Sequence, residues 1–148
     1  MRLLVQRSLK SNVSINNEVV GSINHGLVVL VGFTNGDTTF IVDKMIEKLT
    51  HLRIFCNEKD LMNLSLLDTK GEILSISQFT LYADTTKGRR PSFINSLNPT
   101  DALKLYEYFN NKIKELDIKI ECGIFGADMK VNIINDGPVT IFLDSNSL

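Results

Sequence analysis

Apolar residues recur at strand spacing over most of the chain. Residues 3–6 form a short strand pattern, and residues 13–20 form a hairpin pattern whose Asn16-Asn17 turn tolerates a left-handed backbone. Residues 26–32 are an unbroken β-branched run between two glycines, which predicts a strand buried on both faces. Residues 73–80 are a second strongly apolar strand. Weaker patterns predict strands over residues 52–55, 118–121, 129–134 and 139–143.

Two segments carry apolar residues at helical spacing. The first follows Asp37, whose carboxylate is expected to cap the free amides, and its stripe is Ile41, Met45 and Leu49. The second begins at Asn98-Pro99-Thr100-Asp101, which combines a cap residue, a proline in the first turn and an early acid. Its apolar stripe consists of Ala102, Tyr106, Phe109, Ile113 and Leu116.

The order of these elements predicts an α+β fold. About eight strands do not alternate regularly with helices, so a parallel doubly wound sheet is not expected. We predict a largely antiparallel, barrel-like sheet with two main helices. A length of 148 residues fits one domain over residues 1–148, with a proper core.

Charge and composition narrow the function classes. A formal net charge of -1 gives no global attraction to polyanions, so any contact with RNA must come from a local patch. Cys56 and Cys122 make no disulfide framework, which favours a reducing compartment. The N-terminus is charged too early for a signal peptide, and no apolar run approaches the roughly 20 residues of a membrane helix. We therefore expect a soluble, cytoplasmic protein that does not enter a membrane.

Motifs for metal and cofactor chemistry are absent from the sequence. There is no phosphate-binding glycine loop, no Cys-x-x-Cys and no His-Glu-x-x-His. His51 and Cys56 are the nearest pair of metal-binding residue types, and two isolated ligands make no site. Neither His25 nor His51 has the context of a catalytic triad. We expect no metal and no cofactor, and a hydrolase here would not depend on an imidazole base.

Four segments are candidates for function. Ser77-Gln78-Phe79-Thr80 ends an apolar strand, where it either caps the strand or opens onto a pocket. Gly137-Pro138 is either a turn or a rigid wedge that points two carbonyl groups the same way. Residues 87–93 place three cations near an aromatic ring, as a solvated loop or as a phosphate contact. In residues 125–129, the small Gly126 and Ala127 would let a flat ring approach the backbone.

Together these segments resemble the D-aminoacyl-tRNA deacylase family. The Ser-Gln-x-Thr and Gly-Pro signatures, in this order and at this separation, are very specific to it. The resemblance runs almost from end to end of the chain. It is carried by residues 5–7, 26–32, 52–55, 62–63, 77–84, 90–93, 125–129 and 135–140.

The resemblance implies a homodimer with its two active sites at the subunit interface. A Gly-Pro pair with a cis peptide bond, here Gly137 and Pro138, would reach from one subunit into the pocket of the other. The opposite, catalytic wall would be formed by Ser77, Gln78, Phe79 and Thr80. The cradle for the 3′-terminal adenosine of tRNA would be formed by Phe125, Gly126, Ala127 and Met129.

The implied activity is hydrolysis of the ester of D-aminoacyl-tRNA, and of glycyl-tRNA mischarged on tRNA(Ala). This is a proofreading step in translation quality control and D-amino acid metabolism. L-substrates would be rejected by collision with the Gly-Pro wedge. The family implies RNA-assisted catalysis, in which a ribose 2′-hydroxyl positions or activates water. Our candidates for the donors that stabilise the oxyanion are the backbone amides around Phe79 and Thr80.

Three alternatives stay open. Thr80 could be a nucleophile, although a threonine hydroxyl needs a base and none is evident nearby in the sequence. The chain could instead be a non-catalytic nucleic-acid-binding module. It could also be a general esterase that cleaves small esters without tRNA.

Overall fold

The computed structural model describes residues 1–148 and contains ten strands and three α-helices. The strands are β1 (Arg2–Ser8), β2 (Ser11–Ile15), β3 (Glu18–Ile23), β4 (Gly26–Gly32), β5 (Phe55–Cys56), β6 (Met62–Leu64), β7 (Glu72–Ser77), β8 (Ile120–Cys122), β9 (Lys130–Asn132) and β10 (Asn135–Asp144). The helices are α1 (Thr39–Thr50), α2 (Leu66–Thr69) and α3 (Pro99–Glu115). Short 3₁₀ turns cover Phe79–Tyr82 and Ser145–Ser147.

The main sheet has five strands in the order β10-β1-β4-β7-β8. β1 pairs antiparallel with both β10 and β4, whereas β4 pairs parallel with β7, and β7 pairs parallel with β8. A second, antiparallel sheet has the order β3-β2-β9, and β5 and β6 form a small two-stranded sheet. The α+β class and the largely antiparallel pairing are confirmed. The sheets are mixed and do not close into a barrel.

The main sheet is the middle of three layers, and β4 lies at its centre. Leu27, Val29 and Val31 of β4 belong to the larger apolar core, which the long helices α1 and α3 cover. Val28 faces the other way, into a smaller core roofed by the sheet β3-β2-β9. The prediction that this strand is buried on both faces is confirmed. Each fully buried aliphatic side chain of this kind contributes about 1.5–3 kcal/mol to folding.

The start of α1 differs from the prediction. Its N-cap is Thr38, which makes no side-chain cap hydrogen bond. The carboxylate of Asp37 accepts instead from the N-terminal ammonium of Met1 at 2.6 Å and from the Thr34 amide at 2.8 Å. The capping role predicted for Asp37 is therefore wrong. The buried ammonium group needs a counter-charge, and that requirement outweighs the helix cap.

Several predicted boundaries also shift. Of the strand predicted over residues 52–55, only Phe55 lies in a strand, β5, and β7 ends at Ser77, so that Phe79 and Thr80 lie in the 3₁₀ turn. Gly137-Pro138 lies inside β10 and not in a turn between strands. The helix start at Asn98 is confirmed, because its side chain accepts from the Asp101 amide, whereas Leu116 is the C-cap of α3.

We predict that Gly26→Ala destabilises the fold. Gly26 has a φ of +142°, and an added Cβ would collide with the backbone of Glu72 in the paired strand β7. Overpacking and a positive φ together should lower the free energy of unfolding by about 2–4 kcal/mol in urea denaturation. The control is Gly36→Ala, where φ is +91° and a Cβ meets nothing within 4 Å. Equal losses for both variants would contradict the close approach of β4 and β7.

Candidate active site

A cleft of about 610 Å³ opens where the parallel strands β4 and β7 end. Its walls come from the ends of these strands, the 3₁₀ turn, the start of α3 and the segment 125–131. The lining residues are Val31, Gly32, Phe33, Ile76, Ser77, Gln78, Phe79, Phe93, Ser96, Leu97, Asn98, Pro99, Ala102, Phe125, Gly126, Ala127, Met129 and Val131. None of these side chains is titratable, so the cleft supplies shape and backbone dipoles and no proton-transfer group of its own.

Seven of the ten predicted site residues meet in this cleft. They are Ser77, Gln78, Phe79, Phe125, Gly126, Ala127 and Met129. Thr80 lies beside the cleft without lining it, and Gly137 and Pro138 lie outside it. Two predicted groups that are about 50 residues apart in sequence therefore lie in one concave surface.

The backbone leaves the main sheet where β7 ends at Ser77. The Gln78 amide still donates to the Val31 carbonyl of β4 at 2.7 Å, and the 3₁₀ turn then begins with the Leu81 amide donating to the Gln78 carbonyl. The amides of Phe79 and Thr80 precede this first bond, so they are the open N-terminus of the turn. These amides are the ones proposed as oxyanion donors.

The Thr80 hydroxyl has no base beside it. Its oxygen accepts a hydrogen bond from the Gln78 side-chain amide at 2.6 Å, and an amide does not remove a proton. The turn itself is fixed from β1, because Arg2 donates to the Leu81 carbonyl at 2.8 Å and pairs with Asp144. This geometry favours a positioning role for Thr80 over a nucleophilic one.

An exposed aromatic rim borders the cleft. The rings of Phe79 and Phe93 meet edge to face with centroids 5.0 Å apart, and 57% and 40% of the two residues remain exposed. Ser96 donates to the Phe79 carbonyl at 3.0 Å and so holds the rim to the loop before α3. The sequence reasoning missed Ser96 and Asn98 as lining residues. The helix-start motif at Asn98 was the available signal, but it did not show which sheet end it would face.

The opposite wall rests on a buried tyrosine. The ring of Phe125 lies 5.9 Å from that of Tyr106, whose hydroxyl donates to the Ser75 carbonyl at 2.8 Å. Burial raises the pKa of Tyr106 to about 12, so the phenol stays neutral and acts as a hydrogen-bond donor. Gly126 has a φ of +78°, and nothing lies within 4 Å of where a Cβ would be. Gly126 thus leaves the backbone of this wall open to the approach of a flat ligand.

Gly137 and Pro138 protrude from the edge of the main sheet. In the pairing of β1 with β10, Gln6 lies opposite Thr140 and Ser8 lies opposite Asn135. The four residues 136–139 therefore bulge opposite Arg7 alone. The Gly137–Pro138 peptide bond is cis, the φ of Gly137 is +114°, and both residues are exposed.

Arg7 supports the bulge from the sheet side. Its guanidinium lies 2.9 Å from the Asp136 carboxylate and donates to the Ile54 carbonyl at 2.7 Å. On the other side, the Asn135 side chain accepts from the Val139 amide and donates to the Thr140 hydroxyl. A Cβ on Gly137 would lie 2.8 Å from Arg7 Nη2, so the bulge fits tightly against this arginine.

Comparison with known proteins identifies the family. A family model described as D-Tyr-tRNA(Tyr) deacylase matches residues 4–144. The chain belongs to the D-aminoacyl-tRNA deacylase family. It is 52% identical over 145 residues to the D-aminoacyl-tRNA deacylase of Geobacillus sp. (strain WCH70), with 98% of this chain and 95% of that relative covered. Identity to the Thermosipho melanesiensis D-aminoacyl-tRNA deacylase is 53% over 149 residues, covering 100% and 99% of the two chains.

Solved structures of other proteins are similar to this deacylase over nearly the whole length of its chain. One, described as c-Myc DNA Unwinding Element Binding Protein, superposes with a TM-score of 0.92 at 35% identity, covering 97% of this chain and 98% of its own. Another, described as a probable eukaryotic D-amino acid tRNA deacylase, has a TM-score of 0.81 at 19% identity over 96% and 97%, which shows a shared fold. The resemblance noted in the sequence is confirmed, and so is the assignment to a family of deacylase enzymes.

No three or more His, Cys, Asp or Glu side chains lie close enough together to hold a metal ion. None of the helices combines the length and the apolar character needed to cross a membrane.

Proposed function

We propose that this chain is a homodimeric enzyme that hydrolyses D-aminoacyl-tRNA to free D-amino acid and tRNA. The observation that carries the proposal is the cleft of about 610 Å³, which residues 77–79 line together with Phe125, Gly126, Ala127 and Met129. One wall offers backbone amides for an ester carbonyl, and the other offers room for the terminal adenosine. This activity would place the protein in the cytoplasm, as a proofreading enzyme of translation and of D-amino acid metabolism.

The position of Gly137 and Pro138 supports the homodimer. They lie outside the cleft of their own chain, on β10, which is one of the two edge strands of the main sheet. The flanking Ile134 and the strand residue Phe142 are 55% and 50% exposed. An uncovered apolar edge strand invites pairing with another chain. In a two-fold dimer, each copy would cover this edge and insert its bulge into the cleft of the other.

The bulge would then sort substrates by handedness. The carbonyl groups of Gly137 and Pro138 would accept hydrogen bonds from the substrate's α-ammonium group. This contact would fix the direction in which the side chain of the substrate's amino acid points. A D side chain would point to solvent, and an L side chain would collide with the bulge. Rejection by collision needs no recognition of individual side chains, so many D-amino acids would be accepted. Glycine has no side chain to reject, and glycyl-tRNA mischarged on tRNA(Ala) would be a second substrate.

The absence of titratable groups from the cleft lining supports RNA-assisted catalysis. The 2′-hydroxyl of the terminal ribose would orient and activate a water molecule, which attacks the ester carbonyl carbon. The amides of Phe79 and Thr80 would stabilise the oxyanion that forms. The ester bond to the ribose oxygen then breaks, and this oxygen takes up the proton lost by the water. The protein contributes position and electrostatic stabilisation, which suffices for an already activated ester.

Two other functions remain testable alternatives. The solved relative described as a DNA unwinding element binding protein favours a non-catalytic nucleic-acid-binding module. Strong DNA binding without turnover of any D-aminoacyl-tRNA would support that reading. A general esterase would hydrolyse small esters at similar rates with and without the RNA.

We predict that D-tyrosyl-tRNA is hydrolysed at least about a hundredfold faster than L-tyrosyl-tRNA by the purified protein. Gly137→Ala should reduce hydrolysis of the D-substrate by about a hundredfold, because a φ of +114° strains a residue with a Cβ and the added methyl group would lie 2.9 Å from Val139 Cγ2, which displaces the bulge. Gly36→Ala also has a positive φ but lies in open space, and serves as the matched control. Equal turnover of both enantiomers by the wild type would refute chiral selection. Unchanged selectivity and rate in Gly137→Ala would remove the bulge from the mechanism.

We predict that Thr80→Ala keeps deacylation within about tenfold of the wild type, since its hydroxyl has no base to activate it. A D-tyrosyl-tRNA whose terminal ribose lacks the 2′-hydroxyl should lose about 10²–10⁴-fold in rate. Both effects are measured by single-turnover release of the amino acid. Brisk hydrolysis of the deoxy substrate would exclude RNA assistance, and complete loss of activity in Thr80→Ala would favour the nucleophile.

A further inference from the structure

A hairpin loop over residues 84–92, here termed the basic loop, projects beside the cleft. Its ends are closed by two backbone hydrogen bonds between Asp84 and Ser92, at 2.8 and 2.9 Å. The Asp84 carboxylate accepts from both the amide and the hydroxyl of Thr86 at 2.9 and 2.7 Å. The loop is therefore tied to the body at a defined point, and its tip carries Lys87, Arg89 and Arg90 into solvent.

The three cations of the basic loop are unpaired. Lys87, Arg89 and Arg90 are all exposed and take part in none of the chain's ion pairs, which involve other residues. The loop's single acid, Asp84, is occupied by Thr86, and these hydrogen bonds hold the pKa of its carboxyl below the usual range. In a chain whose formal net charge is -1, this is a local excess of positive charge with nothing on the protein to neutralise it.

The basic loop borders the mouth of the cleft. The chain runs from Arg90 through Pro91 and Ser92 to Phe93, which lines the cleft and contacts Phe79. Three residues span at most about 11 Å, so the Cα atoms of Arg90 and Phe93 lie no more than this distance apart. The cleft lining contains no cation, so a cationic side chain that contacts the ligand must come from the rim.

A second group of cations is less suited to bind RNA. This group lines a depression beside α1 and consists of Lys44, Lys48 and Arg53, together with the acid Glu47. Arg53 is engaged, because it donates to the backbone carbonyl of Asn63 at 2.7 Å. These residues surround a shallow depression that shares no lining residue with the cleft. The basic loop alone combines free cations with continuity to the site.

We propose that the basic loop binds the phosphates of the RNA strand that leads to the aminoacylated nucleotide. This inference rests on the proposed function. Arg89 and Arg90 would each hold a phosphate in a two-pronged contact, and Lys87 would add a point charge. The aromatic rim of Phe79 and Phe93 then separates the charged strand from the apolar cleft, where the ester is bound. The loop anchors the RNA and takes no part in the chemistry.

The test compares two triple variants of the full-length protein in its native assembly. Lys87→Ala/Arg89→Ala/Arg90→Ala removes the charges of the basic loop. Lys44→Ala/Lys48→Ala/Lys114→Ala removes the same charge from exposed positions outside the cleft. Each variant is assayed for the KM and kcat of D-tyrosyl-tRNA hydrolysis. Binding of uncharged tRNA is measured between about 50 and 200 mM salt, a range over which phosphate contacts cause a large loss of affinity.

The loop variant should raise KM by about 10-fold or more and change kcat less than about twofold. The slope of log affinity against log salt should become shallower by about 2, which corresponds to three single-strand phosphate contacts. Arg89→Lys/Arg90→Lys, which keeps the charge, should retain most of the salt slope. The control triple variant should match the wild type in KM, kcat and slope.

Several results would overturn the role of the basic loop. They are an unchanged KM and salt slope, a loss confined to kcat, or an equal loss in the control variant. An equal or larger loss of binding to duplex DNA would identify a general polyanion or DNA surface instead. A wild type that binds tRNA with the expected slope but releases no D-tyrosine would refute the proposed function and leave the loop assignment standing.

Discussion

Arg7 lies where the pairing between β1 and β10 is interrupted, with its guanidinium 2.9 Å from Asp136. Four residues of β10 lie opposite this one residue of β1, so the strand must bulge outward between two regions of regular pairing. The same strand β1 pairs on its other side with β4, whose end helps to form the cleft. One strand thus fixes the position of the bulge relative to the cleft of its own chain. In a two-fold dimer, the same geometry would set the bulge against the partner's cleft.

The apolar lining of the cleft suits a reaction in which the protein supplies no general base. An ionised general base buried in such a lining would cost several kcal/mol unless it were paired. The cleft avoids this cost, because no titratable side chain lines it and its wall at Phe79 is the start of a 3₁₀ turn. Charge is placed outside, on the basic loop at the rim. The cleft and its backbone thus provide shape and hydrogen bonds, whereas the basic loop provides charge. The reactive hydroxyl would be the ribose 2′-hydroxyl of the substrate.

Local sequence signals predicted the elements whose structure depends on neighbours along the chain. Asn16-Asn17 forms the hairpin turn with both φ values positive, and the Asn98 motif begins α3. The apolar run of β4 is buried on both faces as expected. Predictions failed where distant contacts decide the outcome. Asp37 pairs with the N-terminal ammonium instead of capping α1, and Gly137-Pro138 belongs to a strand because β1 pairs with the residues on both sides.

In the candidate site, too, local sequence signals were predictive and contacts between distant residues were not. The two segments 77–79 and 125–129 were identifiable from their residues and from the family resemblance, and the cleft brings them together. The support that Tyr106 gives to Phe125, and that Arg7 gives to the bulge, depends on tertiary packing. No spacing in the sequence relates these residues to the segments they hold. Ser96 was missed for the same reason.

The central claim is that the bulge of one chain completes the cleft of another, and a mixed dimer tests it most directly. Ala127→Phe would fill the cleft but keep the bulge, whereas Gly137→Ala would displace the bulge but keep the cleft. Each variant alone should be nearly inactive on D-tyrosyl-tRNA. After co-expression and random pairing, one site in each mixed dimer would be intact, so about a quarter of wild-type activity should return. A mixture no more active than its two parents, with mixed dimers present, would contradict the account.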